Sequence, residues 1–419
     1  MLERYFVKPS TVDRIRGSWF ADPIERYVEW LASQSFSAST ITRRVSLLCR
    51  FAEFVSDRGA HSVTAAEPLI EDFVATRLRT YWQRRPGTAG ATFAKDTRTP
   101  TQQVVNLALR GSVLRQRVCK PFPLLATAPG FLAYLSEERG LKAATIHHYQ
   151  HYLNRFAAYL QRQGVDSLRA LSPALLATFV IDVAPQLSAS GRRDLCGCLR
   201  VLLRYGYREG HIDRDLSAAV EMPQSYRLAT IPRAISWDEV RRMLQVIDRR
   251  TPRGCRDYAM LLLLITYGLR GHEVAALTLE DLDWKRERLQ VPQRKAGHWS
   301  VYPLAGVVGD AIIEYLKHVR PQTADRQVFF RVVAPVQPIT AVAVSASAAL
   351  YLHKAGIHVH RAGSHTLRHT CVQRLVDAEL PLKTVGDYVG HRSPDSTAIY
   401  AKVALSSLRE VALGDGEAL

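Results

Sequence analysis

Six side chains in the last third of the chain are spaced for phosphodiester chemistry. Arg270 lies in TYGLRGHEV, Lys295 in QRKAGHW, His365 and Arg368 in SHTLRHT, His391 in VGHRS, and Tyr400 in STAIYAKV. Cutting a phosphodiester by nucleophilic attack requires the charge of the pentacoordinate transition state to be neutralised, the nucleophile deprotonated, the leaving oxygen protonated and the attack aligned. Arginine suits the first task, because its planar fork bridges two phosphate oxygens and stays charged at any relevant pH. His365 and Arg368 are three residues apart and share one helical face. The flexible stem of Lys295 can carry a proton to a leaving 5′ oxygen, with Arg294 and His298 as rival cations in the same segment. Tyr400 follows His391 by nine residues; with an ordinary pKa of about 10 it attacks only with the help of a base or a phosphate field. Glu273 is placed to orient Arg270 or a histidine, and HEVAA lacks the second histidine of a zinc helix. His369, one turn beyond His365, is open to either a structural or a chemical role. This kit calls for no metal and no nucleotide cofactor.

The elements that must position these groups are legible nearby. Ser236-Trp237-Asp238-Glu239 is a capping box that opens a helix over 237–247. An apolar helix over 257–267 runs into Gly268, which puts Arg270 at the edge of a rigid element, and a short helix is expected over 272–277. ERLQVP, QRKAGHW and SVYPL read as a β-hairpin with Lys295 in its turn. The remainder is expected to be mostly helical, over 309–320, 341–355, 366–378 and 381–389, with a last stretch from Ser396. Arg368 is expected at the start of its helix, where backbone N–H groups add anion affinity.

The first half contains an internal repeat. WLASQSFSASTITRRVSLLCRFAEFVSDRGAHSV and YLSEERGLKAATIHHYQHYLNRFAAYLQRQGVDSL align Thr40 with Thr145, Phe51 with Phe156 and Gly59 with Gly164. Each copy shows two amphipathic helices around a polar break. Ile146, Tyr149, Leu153, Phe156 and Leu160 form a buried stripe, and His147, His148, His151 and Arg155 lie mainly off it. That face suits either phosphate or solvent, and without a carboxylate or cysteine nearby a metal at His147 and His151 is not expected. Further helices over 67–85 and 101–120 complete the first module, and 173–183 with 190–209 the second. RPGTAGATF and KPFPLLATAPG separate them, and EMPQSYRLATIPRAIS is an exposed linker.

With 419 residues, 47% hydrophobic and 23% charged, the chain is long enough for two to three domains. Its net charge of +17 points to a polyanionic partner. The surplus is spread, at about +8 over 1–120, +3 over 121–228 and +6 over 229–419. Six cysteines without a CxxC pair suggest free thiols in a reducing compartment, with Cys196 and Cys198 pointing apart on a helix. Neither a membrane span nor a signal region is apparent, so a cytoplasmic protein of a bacterial-type cytosol or nucleoid is expected.

Taken jointly, the order R…K…HxxR…H…Y resembles the tyrosine recombinase (phage integrase) family, carried by TYGLRGHEVAALTLEDLDW, SHTLRHTCVQRLVDAELPLKTVGDYVGHRSPDSTAIYAKV and the lysine between them. Val389 stands where leucine is more usual. The resemblance implies a mainly α fold with a small β-sheet: helical SAM-like DNA-binding domains followed by a mixed α/β catalytic domain. It divides the chain into an N-terminal helical DNA-binding domain at 1–120, a core-binding domain at 121–222, a linker at 223–235, a catalytic domain at 236–405 and a tail at 406–419. The first of these lies outside the minimal family plan. The resemblance further implies that Tyr400 forms a 3′-phosphotyrosyl bond while Arg270, Arg368 and His391 stabilise the non-bridging oxygens, Lys295 protonates the leaving oxygen and His365 assists proton transfer. The implied partners are double-stranded DNA with inverted-repeat sites, further copies of the chain in a tetramer passing through a Holliday junction, and accessory recombination proteins. The alternatives are a type IB topoisomerase or telomere resolvase, separated by strand exchange between two sites, and a catalytically silent DNA-binding regulator, separated by a covalent adduct.

Overall fold

Among the described residues, apolar stripes on successive helices gather into three large cores, within 2–105, 122–220 and 235–367, and a small cluster of Val372, Val385 and Val389. The computed structural model describes residues 1–87, 89–113, 122–224, 234–292, 299–390 and Thr397. Most of the linker expected at 223–235, the tail at 406–419 and the helix expected from Ser396 lie outside the described residues, Thr397 apart. Met1–Arg115 and Thr230–Leu419 belong to one compact unit and Gln116–Ala229 to another.

The first core is built by α1 (Pro9–Arg16), α2 (Ala21–Ser33), α3 (Ala38–Ser56), α4 (Val63–Ala66), α5 (Ile70–Arg84) and α6 (Ala91–Arg110). Phe20, Tyr27, Leu31 and Phe51 are fully buried in it. The Ser37 hydroxyl caps α3 by accepting from the Thr40 N–H. The helix expected over 101–120 instead starts at Ala91 and ends at Gly111, passing through Pro100. A proline removes one helical N–H. Here the buried series Thr97, Pro100, Thr101, Val104 and Val105 continues across it, and α6 packs on α2, α3 and α5. Burial along this face outweighs the local preference to break.

The second core joins α7 (Phe131–Ala133, continuing as a π-type turn to Glu138), α8 (Ala143–Arg162), α9 (Pro173–Val183) and α10 (Ala189–Arg208). Phe156 is fully buried like its counterpart Phe51, and Gly59 and Gly164 both take left-handed backbone after their helices, at φ 74° and 67°. Only glycine adopts that conformation freely. Leu153, Phe156 and Leu160 are buried while His147, His148 and His151 are exposed. Cys196 and Cys198, although two residues apart, are both buried, because α10 is enclosed on more than one side. Every described cysteine is a free thiol.

The third core wraps α12 (Pro252–Tyr267), which follows α11 (Trp237–Gln245) and precedes α13 (Gly271–Ala276). The Ser236–Glu239 capping box that opens α11 is formed. Strands β1 (Leu282–Asp283), β2 (Arg288–Pro292) and β3 (Trp299–Pro303) make an antiparallel sheet in chain order, with Leu289 opposite Tyr302 and Val291 opposite Ser300. Leu289, Val291 and Tyr302 face the core. Then come α14 (Gly306–His318), α15 (Ala341–Lys354), α16 (Ser364–Asp377) and α17 (Leu382–Val389). Helix α12 packs on α14, α15 and α16, which explains why most of its residues, Arg256 and Asp257 among them, are buried. Because α16 begins at Ser364, Arg368 sits in its second turn rather than at its start.

Separate cores predict separable damage. Phe156→Ala should cost the second module about 3–5 kcal/mol, read by hydrogen exchange as lost protection in α8–α10 with α3 and α12 unchanged. Equal loss in all three would mean that the cores unfold as one.

Candidate active site

Helix α12 ends at Gly268, whose φ of 61° turns the chain sharply and delivers Arg270 to the N-terminus of α13. A Cβ at Gly268 would lie 3.0 Å from Val389 Cγ1 and 3.2 Å from Cys371 Sγ, so both conformation and space call for glycine. Glu273, in the first turn of α13, accepts from the Arg270 backbone N–H and from its Nη1, both at 2.7 Å. The Glu273 carboxylate is buried and the Arg270 side chain is 31% exposed, so the guanidinium is fixed from below and open above.

Arg368 reaches the same place from α16. Its side chain is buried; Nη1 donates to the Gly268 carbonyl and Nη2 to the Val389 carbonyl at 2.7 Å. Arg270 Nη2 donates to the next carbonyl, Gly390, at 3.0 Å. The preceding carbonyl, Tyr388, accepts from the Tyr302 hydroxyl of β3 at 2.6 Å. Three successive carbonyls at the end of α17 thus hold a tyrosine and two arginines from three different elements. The last carbonyls of a helix have no intrahelical partner and carry the negative end of its dipole, which makes them good seats for cations.

The layer beneath is also hydrogen-bonded. Tyr388 Oη donates to the Thr266 carbonyl at 3.0 Å, and Tyr267 Oη donates to the Pro303 carbonyl at 2.9 Å while accepting from the Ala305 N–H. These bonds tie β3, α12 and α17 together. Burial pushes the Cys371 thiol up to about 12, partly offset by Arg368, so at neutral pH it brings no negative charge to the arginine. Burial likewise raises the Tyr388 phenol.

Of the residues singled out in the sequence, Arg270 and Arg368 are brought together, and Glu273 holds Arg270. His365 lies one turn before Arg368 on the exposed side of α16, its ring 6.4 Å from that of His369. Lys295, its rivals Arg294 and His298, and also His391 and Tyr400 lie outside the described residues; β2 and β3 flank the first three, and His391 follows Gly390 directly in sequence. Tyr302 and Tyr388 were not anticipated. Their only sequence signal is position, one on the strand after the lysine segment and one before VGH. Among the described residues no cluster of histidine, cysteine or carboxylate side chains could hold a metal.

Residues 233–406 match the phage integrase family, and residues 129–210 match the phage integrase N-terminal SAM-like domain. An integrase/recombinase of Sinorhizobium fredii, y4rF, is 30% identical over 99% of this chain and 95% of its own length. The tyrosine recombinase XerD of Corynebacterium glutamicum is 28% identical over 68% of this chain and 95% of its own. Among solved structures, the XerH site-specific recombinase bound to a palindromic difH substrate has a similar fold. Its TM-score is 0.53 at 15% identity, covering 93% of this chain and 94% of that one. A lambda integrase dimer bound to a core site gives 0.51 at 17% identity, covering 73% and 87%. With the whole-length likeness to y4rF and both family matches in the expected order, the chain belongs to the phage integrase family, the tyrosine recombinases.

Proposed function

We propose that this site-specific recombinase cuts and rejoins double-stranded DNA through Tyr400. The Tyr400 phenolic oxygen attacks the scissile phosphorus, a 3′-phosphotyrosyl bond forms, the bond to the 5′ oxygen breaks, and Lys295 supplies the proton that the departing oxygen takes up. His365 assists removal of the phenolic proton. Arg270, Arg368 and His391 share the charge of the non-bridging oxygens in the transition state. Attack by the 5′ hydroxyl of a partner strand reverses the step, so the energy of the broken bond is retained and neither ATP nor metal is consumed.

The observation that carries this reading is the pair of guanidinium groups on adjacent carbonyls of one helix end. Two forks seated on a common helix end, Arg368 by neutral carbonyls and Arg270 by a carbonyl and the Glu273 carboxylate, are preorganised for one phosphate and need no rearrangement as charge develops. Their placement next to the VGH segment and beside the strand that follows Lys295 suits the remaining groups to the same centre. We further assign 1–120 and 121–222 as DNA-binding domains and 236–405 as the catalytic domain. Four copies would act across two inverted-repeat sites through a Holliday junction, with accessory recombination proteins as further partners. No described helix is long and apolar enough to cross a membrane, and DNA as substrate would place the enzyme at the nucleoid.

Incubation with DNA carrying the recognition site should give a protein–DNA adduct that survives denaturation and is lost in Tyr400→Phe; an adduct that persists would remove Tyr400 from its role. Arg270→Lys and Arg368→Lys keep the charge but lose the fork, and each should slow cleavage by about 10²–10³-fold while site binding changes far less. Cleavage at the wild-type rate would refute the arginine assignment. Tyr302→Phe leaves the Tyr388 carbonyl without its donor and should cost about 1–3 kcal/mol in urea unfolding, with slower cleavage and unchanged DNA affinity. A neutral effect on both would show that β3 does not support the arginine seat.

A further inference from the structure

Helix α16 carries His365 and Arg368 on one side and a second row, Thr366, Thr370 and Arg374, at four-residue steps on another. Thr370 follows Arg368 by two residues, about 200° around the helix, so the two side chains point apart. Arg368 reaches the carbonyls of Gly268 and Val389. Thr370 turns instead to the chain that enters the third core, where its hydroxyl accepts from the Ile235 backbone N–H at 3.0 Å. Ile235 ends the linker expected from the sequence and leads into the Ser236 cap of α11. One turn further along α16, the Arg374 guanidinium lies 4.1 Å from the centroid of the Trp237 ring.

The Thr370 hydroxyl serves two partners at once. It donates to the Thr366 carbonyl at 2.9 Å, the usual resting place of a helical threonine. The same oxygen then receives a backbone N–H from 135 residues away in sequence. Thr370 and Ile235 are both buried, so loss of the hydroxyl would strand a donor. Valine would fill the space equally well; only the hydroxyl can hold the entering chain. The bond matters for the site because of what the helix carries opposite it. Arg368 is buried and seated on carbonyls at the ends of two other helices, which leaves it little slack if α16 turns about its axis. Small displacements of a charge-stabilising group cost rate steeply.

We propose that Thr370, backed by Arg374, is a positioning residue for Arg368: its hydroxyl holds α16 from behind and ties the arginine seat to the chain arriving from the linker. Thr370 touches no reacting atom and acts through the arginine. This rests on the reading that Arg368 serves cleavage.

The test uses the full chain on DNA carrying the recognition site, at a temperature below the melting point of every variant. Thr370→Val keeps the shape and loses the hydroxyl; cleavage at saturating DNA should slow by about tenfold or more, with Kd for the site within about twofold of wild type. Thr370→Ser keeps the hydroxyl and should recover most of that rate. Arg374→Met loosens the same tie from an exposed position without stranding a donor, and should slow cleavage by about two- to fivefold. In an Arg368→Lys background Thr370→Val should add little further loss, since both changes act on one fork. A Thr370→Val protein that melts earlier yet cleaves at the wild-type rate would overturn the proposal, because the hydroxyl would then serve stability alone. So would a serine variant as slow as the valine one, an unchanged rate in Arg374→Met, or an equal fold loss in both backgrounds. Arg368→Lys is also read by itself. If it is slow while Thr370→Val is normal, only the positioning role falls; if it cleaves like wild type, the arginine assignment falls and this role with it.

Discussion

The end of helix α17 sets the geometry of this enzyme. Its last residues offer three carbonyls in a row, and Tyr302, Arg368 and Arg270 each take one. A carbonyl differs from a carboxylate as a partner for an arginine: it fixes direction and leaves the positive charge available for an anion. The contrast with Arg256 is informative. That guanidinium is buried in the third core, where Nε and Nη2 both donate to one oxygen of the buried Asp257, and its Nη1 donates to the Phe330 carbonyl. Arg256 is thereby neutralised and serves packing, and nothing in it is left for a ligand. Arg270 stands between the two cases, with Glu273 on one nitrogen and the Gly390 carbonyl on another. Its partial exposure suits the phosphate contact proposed for it.

The same helix end connects chemistry to architecture. Gly268 closes α12 and receives Arg368; Val389 packs against the glycine and receives Arg368 as well. A shift of α17 would therefore displace both arginines together. The hydrogen bond from Tyr302 extends the constraint to β3, and the Tyr388 hydroxyl extends it to α12. Rate losses from small displacements of reacting groups are steep, and a shared anchor makes those displacements correlated rather than independent.

Much of this was legible because it is local. The Ser236–Glu239 capping box, the proline at the start of α9, the glycine after α12 and the paired glycines of the repeated modules follow from backbone preferences within a few residues. Arg270, Arg368 and Glu273 could be singled out from type and spacing. What joins them could not, since the acceptors are main-chain carbonyls that every residue possesses, and their use depends on how α12, α16 and α17 pack. Tyr302 and Tyr388 were hidden among 17 tyrosines for the same reason. Helix α6 runs the other way: it continues through Pro100, a strong local breaker, along a buried face that only the tertiary fold reveals.

The charge surplus acquires a meaning once arginines are sorted by partner. In the first module, pairs such as Arg98–Glu71 are exposed and contribute little to stability, but they remove those arginines from the pool that can grip an anion. Arg43, Arg50 and Arg77 are not removed in this way. At the proposed catalytic centre, Arg368 is held by carbonyls that satisfy geometry without cancelling charge, whereas Arg270 is also paired with Glu273. In the first module, like charges held close, as Arg50, Arg77 and Arg84 are, raise the energy of the folded chain. The first module holds these arginines over a core in which residues such as Phe51 are fully buried.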